Sequence, residues 1–287
     1  MGSGATGGDA RLGPATRRAY IAAMTGATEP FTHRAGALEV RLATSDAEVA
    51  AAQALRYRIF FEEEGARASG EARASGLDVD AYDPVCDHLL VFDHAQTDTP
   101  VVGTYRLLRQ SVAARHGGFY SAGEFDLGPL LSGAGTGLQL LELGRSCVAT
   151  EYRDAPTIGL LWRGIASYLK ANGIGHMFGC GSLHGVEVGE HAQALAYLHH
   201  HHLAPPELRA YAWEGARVET DLLPPGSYDA RAAARALPPL IKGYLRVGAM
   251  IGDGGSVDRD FNTIDVFVIM PVDRITERYA ARYMRGD

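Results

Sequence analysis

A carboxylate and a guanidinium lie three residues apart in the run ELGR, at Glu142 and Arg145. A carboxylate beside a nucleophile can accept its proton, and a guanidinium can hold an anion in a bidentate fork. Residues three apart in an extended strand point to opposite faces unless a β-bulge intervenes, and Gly144 permits such a bulge. We therefore predict that Glu142 and Arg145 share one catalytic site. The alternative is a structural ion pair near the sheet.

Further charged residues precede this run. Asp80 and Asp83 in DAYD form a carboxylate pair that can hold a cationic side chain, and Arg106 in GTYRLL can hold a carboxylate. The alternative is that the two aspartates only end a loop, and for Phe60 in RYRIF packing is the preferred interpretation.

Four consecutive histidines, at 199–202, raise the question of a metal site. Neighbours on a helix point about 100° apart, so only His199 and His202 can share a face, and no carboxylate lies at a suitable offset. We therefore predict no bound metal. The three cysteines are far apart and have no CxxC spacing, so neither a zinc site nor a disulfide framework is expected.

The hydrophobic pattern predicts the elements that must position these residues. ALEVRLAT indicates a strand, and SDAEVAAAQALRYRIFFEEEG indicates a helix capped by Ser45 or Asp46. HLLVFD and VVGTYRLL predict an antiparallel hairpin, and LQLLELGRSCVAT predicts a long strand. APTIGLLWRGIASYLKANG, with Pro156 at its start and Gly173 past its end, is typical of a helix.

The rest of the pattern continues the alternation of strands and helices. HMFGCGSL predicts a strand, HAQALAYLHHHHL a helix and ELRAYAW a further strand, before a short helix in LPPLIKGYLRVG and a last strong strand in TIDVFVIMP. This order predicts an α/β fold of the α+β type, with layers packed around one sheet.

Composition limits the classes of function. The 287 residues are 46% hydrophobic and 21% charged, an ordinary globular balance. A net charge of -7 gives no overall attraction to nucleic acid, so we expect no such partner. No run reaches the roughly 18 apolar residues of a membrane span, and the opening MGSGATGGDA lacks the features of a signal peptide, so a cytoplasmic location is expected.

The two ends of the chain differ from its centre. Residues 1–36 are rich in Gly, Ala and Thr and are predicted to form a flexible tail, with residues 37–287 as one domain. The end, DRITERYAARYMRGD, repeats arginines at Arg274, Arg278 and Arg282, which predicts a basic amphipathic helix. Such a helix can rest on the anionic inner membrane surface or on an acidic partner; a solvated helix is the alternative.

Several linked motifs resemble one enzyme family. The runs LRYRIFFEEEGA, DAYDPVCDHLL, VVGTYRLL, LELGRSCVATEYR, LLWRGIASYL and LPPLIKGYLRVGA are similar to the ornithine-acyl carrier protein N-acyltransferases, which start ornithine-lipid synthesis. That family belongs to the GNAT superfamily and is related to acyl-homoserine-lactone synthases. The resemblance implies a mixed, mostly antiparallel central sheet flanked by helices. It also implies transfer of a 3-hydroxyacyl chain from acyl carrier protein to the α-amine of ornithine, giving lyso-ornithine lipid.

The resemblance also implies roles for particular residues. The related signal synthases carry a similar Glu-x-x-Arg pair, associated with acceptor binding and proton removal, which matches Glu142 and Arg145. Substrate-binding roles are implied for four earlier residues: Arg56, Asp80, Asp83 and Arg106.

The start of the main helix departs from the superfamily pattern. Members that use coenzyme A normally carry an Arg/Gln-x-x-Gly-x-Gly/Ala loop there, whose amides cradle a pyrophosphate. Here Pro156, Thr157, Ile158 and Gly159 stand in its place. This suits a phosphopantetheine arm, which has one phosphate, better than coenzyme A. We expect Thr157, Ile158 and Gly159 to contact that phosphate, acyl carrier protein to be the donor and no separate cofactor to be needed.

Several alternatives stay open. Glycine or lysine can replace ornithine as the acceptor, and the product can instead be a signal made from S-adenosylmethionine. A non-catalytic carrier-binding protein, or a haemolysin-like one, is the alternative class. Tyr197 and His184 are candidates for the acid that protonates the departing thiol, with packing as the simpler explanation for both.

Overall fold

The computed structural model describes residues 31–98, 100–133 and 139–275. Its strands are β1 (Thr32–Ala35), β2 (Leu38–Leu42), β3 (Asp87–Asp93), β4 (Val101–Arg109), β5 (Phe125–Asp126), β6 (Gln139–Val148), β7 (Ile174–His184), β8 (Tyr211–Ala212), β9 (Arg217–Val218), β10 (Met250–Asp258) and β11 (Thr263–Pro271). Its α-helices are α1 (Asp46–Tyr57), α2 (Gly70–Ser75), α3 (Gln110–Ala113), α4 (Gly128–Gly133), α5 (Ala155–Ala171), α6 (Val188–His202), α7 (Ala230–Ala236) and α8 (Pro239–Arg246).

One sheet organises the described residues. Its strands follow the order β1-β2-β3-β4-β6-β7-β11-β10-β8-β5, and β9 pairs with β10. Neighbouring strands are antiparallel except at β6–β7 and β8–β10, which are parallel. The predicted mixed, mostly antiparallel sheet flanked by helices is therefore confirmed. Among the residues described, no helix combines the length and apolar character needed to cross a bilayer.

Helices α1 and α5 begin at residues whose side chains cap them. The Ser45 side chain accepts a hydrogen bond from the Glu48 backbone N–H, which satisfies one of the free amides at the start of α1. Asp154 caps α5 in the same way, and Gly173 follows the helix with a φ of 60°. After α1 the chain continues as a π-helical turn at Arg58–Glu63, a feature that is frequent beside functional sites.

Helix α5 packs closely on one face of the sheet. Leu161, Ile165 and Leu169 are buried, as their helical spacing predicts, and they join the largest core cluster. Ile158, at the same spacing one turn earlier, is exposed instead. Gly164 faces β3 so closely that a Cβ there would lie 2.8 Å from a methyl carbon of Leu89. The small residue therefore lets the helix axis approach the sheet.

The central strands β6 and β7 separate partway along their length. Their parallel pairing runs from Gln139 to Glu142 on β6 and stops at Phe178 on β7, while both strands continue beside other partners. A Cβ at Gly179 would lie 2.2 Å from the Leu143 carbonyl oxygen, so only glycine fits at the point of separation. The divergence opens a cleft in the middle of the sheet.

Four strands were not predicted, β1, β5, β9 and β10, and one prediction was too long. Strand β10 contains Gly252, Gly254 and Gly255, so it lacks the alternating apolar pattern of a strand. In ELRAYAW only Tyr211–Ala212 is extended. Strand β1 lies within the last residues of the predicted tail. Residues 1–30 of that tail lie outside the described residues, and so do Arg278 and Arg282 of the predicted C-terminal helix.

Candidate active site

A cavity of about 490 Å³ fills the cleft between β6 and β7. This volume lies within the range of small-molecule sites, roughly 300–1,000 Å³. Glu142 and Arg145 both line it, together with Arg106 from β4. The cavity continues past apolar side chains from α5 and α8. The cleft therefore combines charged groups at the sheet with an apolar channel between helices.

A β-bulge brings Glu142 and Arg145 to the same cavity. Arg106 pairs with Gly144 and Thr104 pairs with Cys147, so two residues of β6 lie opposite one residue of β4. Arg145 is one of those two and has a φ of 48°, in the left-handed region that residues with a side chain rarely adopt. The bulge predicted at Gly144 is confirmed. Glu142 and Arg145 do not form a salt bridge with each other.

Glu142 is held by the turn Tyr120–Gly123. The Tyr120 N–H donates to its Oε2 at 2.8 Å, and the Ser121 N–H and hydroxyl donate to its Oε1 at 2.6 and 2.5 Å. Burial raises the pKa of this carboxyl, and the hydrogen bonds from Ser121 and Tyr120 oppose that rise. Because an ionised carboxylate has about four acceptor positions, one remains beyond these three donors.

Three arginines and three aspartates lie beside the bulge, and we call them the ion cluster: Arg56, Arg106, Arg145, Asp78, Asp80 and Asp83. Arg56 is completely buried. Its Nε donates to Asp78 Oδ2 at 2.8 Å, and its two terminal nitrogens donate to the two oxygens of Asp83 at 2.8 and 2.9 Å. This bidentate geometry is the strongest form of ion pair between these residue types.

The other two arginines complete the ion cluster. Arg106 Nη1 donates to Asp80 Oδ1 at 2.6 Å, and Arg145 Nε donates to Asp78 Oδ2 at 3.1 Å. The Arg145 guanidinium also lies 4.9 Å from the Tyr120 ring and 4.7 Å from the Phe261 ring, within range for cation–π attraction. Every charged group of the cluster thus has an oppositely charged partner.

The pairing decides what the aspartates can do. Burial would raise the pKa of Asp80 and of Asp83, but Arg106 next to the first and Arg56 next to the second hold both values below their usual range. Among the cluster residues, Arg106 and Arg145 line the cavity. The predicted contact of Arg56, Asp80 and Asp83 with substrate stays a prediction, and their observed role is to support the two arginines. Asp78 was not predicted.

The start of α5 lies at the mouth of the cavity. Ile158, which is 42% exposed, lines the mouth with Arg153, whereas the Thr157 side chain is buried. Asp154 Oδ1 accepts from the Thr157 N–H and the Asp154 carbonyl accepts from the Ile158 N–H, so these amides are already hydrogen-bonded. The predicted contact of Thr157, Ile158 and Gly159 with a phosphate stays a prediction.

A second set of acidic residues lines the cavity, and the sequence did not predict it. Glu124 follows the turn that holds Glu142, and Asp265 lies in β11; we call these two residues the acidic pair. The one available signal was Asp265, a single charged residue in a strand whose nine residues are all buried. Ligand atoms of the pair and of Cys180 lie within 4.8 Å of one another.

The candidate acids and the histidines have different positions. His184 lines the cavity, whereas the Tyr197 hydroxyl lies outside it, 3.3 Å from His202 Nε2. Away from the cavity, His199 and His200 come together with Asp221, with ligand atoms within 4.8 Å of one another. Helical spacing alone had favoured His199 with His202, because it could not show that the loop carrying Asp221 packs beside the helix.

Comparisons with known proteins agree with this architecture. The family described as an acetyltransferase (GNAT) domain matches residues 55–163. The L-ornithine N(alpha)-acyltransferase of Rhizobium meliloti (strain 1021) is 48% identical over 272 residues, which cover 93% of this chain and 92% of that protein. The protein of the same name from Agrobacterium fabrum is 48% identical over 253 residues, covering 87% of this chain and 86% of its own length.

Two solved structures are similar at low identity. FeeM, an N-acyl amino acid synthase from uncultured soil microbes, is 12% identical with a TM-score of 0.46, covering 88% of this chain and 98% of its own. The acyl-homoserine-lactone synthase LasI is 14% identical with a TM-score of 0.42, covering 83% of this chain and 91% of its own.

Proposed function

This chain belongs to the L-ornithine N(alpha)-acyltransferase family, and we propose that it transfers a 3-hydroxyacyl group from acyl carrier protein to the α-amine of ornithine, giving lyso-ornithine lipid. One observation carries the proposal. A single cavity joins a buried carboxylate and two arginines to an apolar channel. The carboxylate can accept the proton of an amine, the arginines can hold an amino acid carboxylate, and the channel can hold a fatty chain.

Glu142 is assigned as the proton acceptor. The α-ammonium of the acceptor loses a proton to Glu142, directly or through water, and the neutral nitrogen then attacks the thioester carbonyl carbon. The new C–N bond forms, and the attacking nitrogen gives up a second proton as the oxyanion collapses. The C–S bond breaks to release a thiolate, which takes up that second proton and leaves as the thiol. A base works best when its pKa lies near the working pH, and burial raises the pKa of Glu142 toward that range.

Arg106 and Arg145 are assigned to the α-carboxylate of the acceptor. Each guanidinium has five N–H donors, and the contacts of Arg106 to Asp80 and Asp83 use one nitrogen, so donors remain for a ligand. The ion cluster fixes both side chains before substrate binds. Such pre-organisation lowers the entropy that binding must overcome.

The apolar channel is assigned to the acyl chain. Leu143 from β6, Leu161 and Trp162 from α5, and Leu240 and Tyr244 from α8 form its walls. The thioester arm then enters past Ile158, where the Arg153 guanidinium, half exposed at the mouth, offers a cation for the phosphate of the arm. We propose the phosphate contact with Thr157, Ile158 and Gly159 at this same entrance.

One assay tests the proposed function. Purified chain is incubated with 3-hydroxyacyl carrier protein and, separately, with ornithine, lysine, glycine or no amino acid, while thiol release and product mass are followed. We expect ornithine-dependent thiol release and the mass of an N-acylated ornithine. Thiol release without an amino acid would indicate a thioesterase and contradict the proposal. Equal turnover with acyl-coenzyme A would contradict the choice of donor.

A further inference from the structure

Among the residues that the structure describes, no cation forms a salt bridge with the acidic pair, in contrast to the ion cluster. Arg145 opposes the rise in both pKa values through its charge, but it pairs with Asp78 and Asp80 instead. Asp265 is 6% exposed, and its Oδ1 has no hydrogen-bond partner among the described residues. The buried Oε2 of Glu124 also lacks one within the same part of the chain.

The partners that the two side chains do have are neutral: Ser182 and Thr263 hydrogen-bond Asp265, and Cys180 Sγ lies 4.0 Å from Glu124 Oε1. Both side chains line the cavity. A buried carboxylate oxygen without a donor costs free energy, so its position beside a cavity indicates a ligand that supplies positive charge.

The pKa values of the two carboxyls also favour the binding of a cation at this position. Burial first, and then the nearby Asp265, raises the pKa of Glu124 to about 8, and burial raises the pKa of Asp265 to about 6. When no cation is bound, burial and mutual repulsion therefore favour a protonated carboxyl in the pair. A bound ammonium group would stabilise the charged carboxylates and displace that proton.

The position of the pair relative to Glu142 suits a diamino acid. The Ser121 hydroxyl lies 2.5 Å from Glu142 Oε1 and 3.5 Å from Cys180 Sγ, and that sulfur lies 4.0 Å from Glu124 Oε1. Two side chains thus separate the proposed base from the acidic pair. Three methylene groups separate the α-carbon of ornithine from its second nitrogen, which can span such a gap.

We propose that Glu124 and Asp265 bind the side-chain ammonium of the acceptor and select a diamino acid over one with an apolar side chain. The inference rests on the proposed function, in which ornithine is the acceptor. Asp80 and Asp83 are less suited to this role because arginines already neutralise them. Glu124, Asp265 and Cys180 also have the donor types of a metal site, so bound metal is one of the outcomes that the test distinguishes.

The test compares two acceptors that differ only in the second amine. Norvaline has the carbon skeleton of ornithine without its side-chain ammonium. We expect Glu124→Gln and Asp265→Asn each to raise the KM for ornithine on the order of 10- to 100-fold, the range for losing a charged hydrogen bond. The KM and kcat for norvaline should stay the same or improve. Glu190→Gln, at an exposed position on α6, is the matched control and should change neither acceptor.

Three results would overturn the assignment. An unchanged KM for ornithine in both variants would exclude the pair from recognition. An equal loss of kcat with norvaline and ornithine would place Glu124 in the chemical step instead. Stoichiometric metal in the purified protein, lost in Asp265→Asn, would show that the pair is a metal site.

A second measurement does not depend on turnover or on the folding of a variant. Calorimetric titration of the unaltered chain near pH 7, in buffers of different ionisation enthalpy, reports the protons exchanged on binding. We expect ornithine to release protons and norvaline to release none; equal release by both would contradict the proposal. A chain that acylates no amino acid would refute the proposed function, while this titration would still decide whether the pair binds the second ammonium.

Discussion

The ion cluster and the acidic pair place the same chemical group in opposite electrostatic settings. In the cluster, guanidinium groups within 2.6–3.4 Å of the aspartates keep the carboxylates charged. In the pair, burial without a salt bridge to any described cation favours the protonated form. The first arrangement is complete before substrate arrives and serves to hold Arg106 and Arg145. The second arrangement is completed only by a ligand. A buried carboxylate without a salt bridge, and not the number of carboxylates, therefore indicates where a cationic substrate binds.

Glu142 lies between these two regions, and its replacement should have the largest effect. Glu142→Gln keeps the shape of the side chain but cannot accept the proton of the amine. We expect kcat to fall about 10²- to 10⁴-fold, the usual contribution of a general base. Steady-state rates with ornithine measure this, and circular dichroism checks the fold. A fall of less than about 10-fold would move the base elsewhere, with Glu124 as the first candidate.

Breaking the ion cluster should cost stability before it costs chemistry. Arg56→Met leaves Asp78 and Asp83 buried without their closest cation, which should lower the free energy of unfolding by about 3–5 kcal/mol. Arg58→Met is the matched control, since Arg58 is 46% exposed and its acidic neighbours lie 3.8 and 4.0 Å away. It should change stability by less than about 1 kcal/mol. Denaturant titration of both variants distinguishes these values, and equal effects would contradict the structural role of the cluster.

The two regions should respond to pH in opposite directions. Folding raises the pKa of Glu124 from about 4.5 to about 8. The contribution of this group to the free energy of unfolding is therefore full below about pH 4.5 and is lost as the pH rises to about 8. The pKa of Asp83 is lowered, so its contribution is present at neutral pH and is lost as the solution becomes strongly acidic.

Glu124→Gln should therefore reduce the loss of stability that accompanies rising pH, and it should leave the stability at acidic pH unchanged. We expect the variant to gain on the order of 1–3 kcal/mol relative to the unaltered chain between pH 5 and pH 8, without ligand. Thermal unfolding across that pH range measures the difference. A parallel shift at all pH values would mean that Glu124 is not protonated in the folded chain. Saturating ornithine should reduce the gain, because the ligand supplies the missing charge.

The smallest predicted effect concerns Ser121, which contacts Glu142 on one side and Cys180 on the other. Ser121→Ala removes one of three donors to Glu142, so the pKa of that carboxyl should rise further. The acidic limb of the kcat/KM profile should move upward by roughly half a unit to one unit, in line with the loss of one hydrogen bond to the charged form. An unmoved limb would show that Glu142 does not control it.

Local pattern was sufficient for much of the scaffold. Helix α5 followed from its apolar spacing and caps, the β3–β4 hairpin from two apolar runs, and the bulge from Gly144. Each of these depends on interactions between residues close in sequence. Strand β10 was missed because its glycines replace the side chains that would show a period. The prediction that Glu142 and Arg145 face the same site also depended on local geometry, since it required only a bulge at Gly144.

The partners of the charged groups were decided only by the tertiary structure. Whether Asp80 and Asp83 are free or neutralised depends on where α1, β4 and β6 place their arginines. The acidic pair exists because β11 lies next to β7 in the sheet and carries Asp265 toward Glu124, from which it is distant in sequence. Amino acid type determines which charges are present, but burial and long-range pairing determine which of them remain available to a substrate.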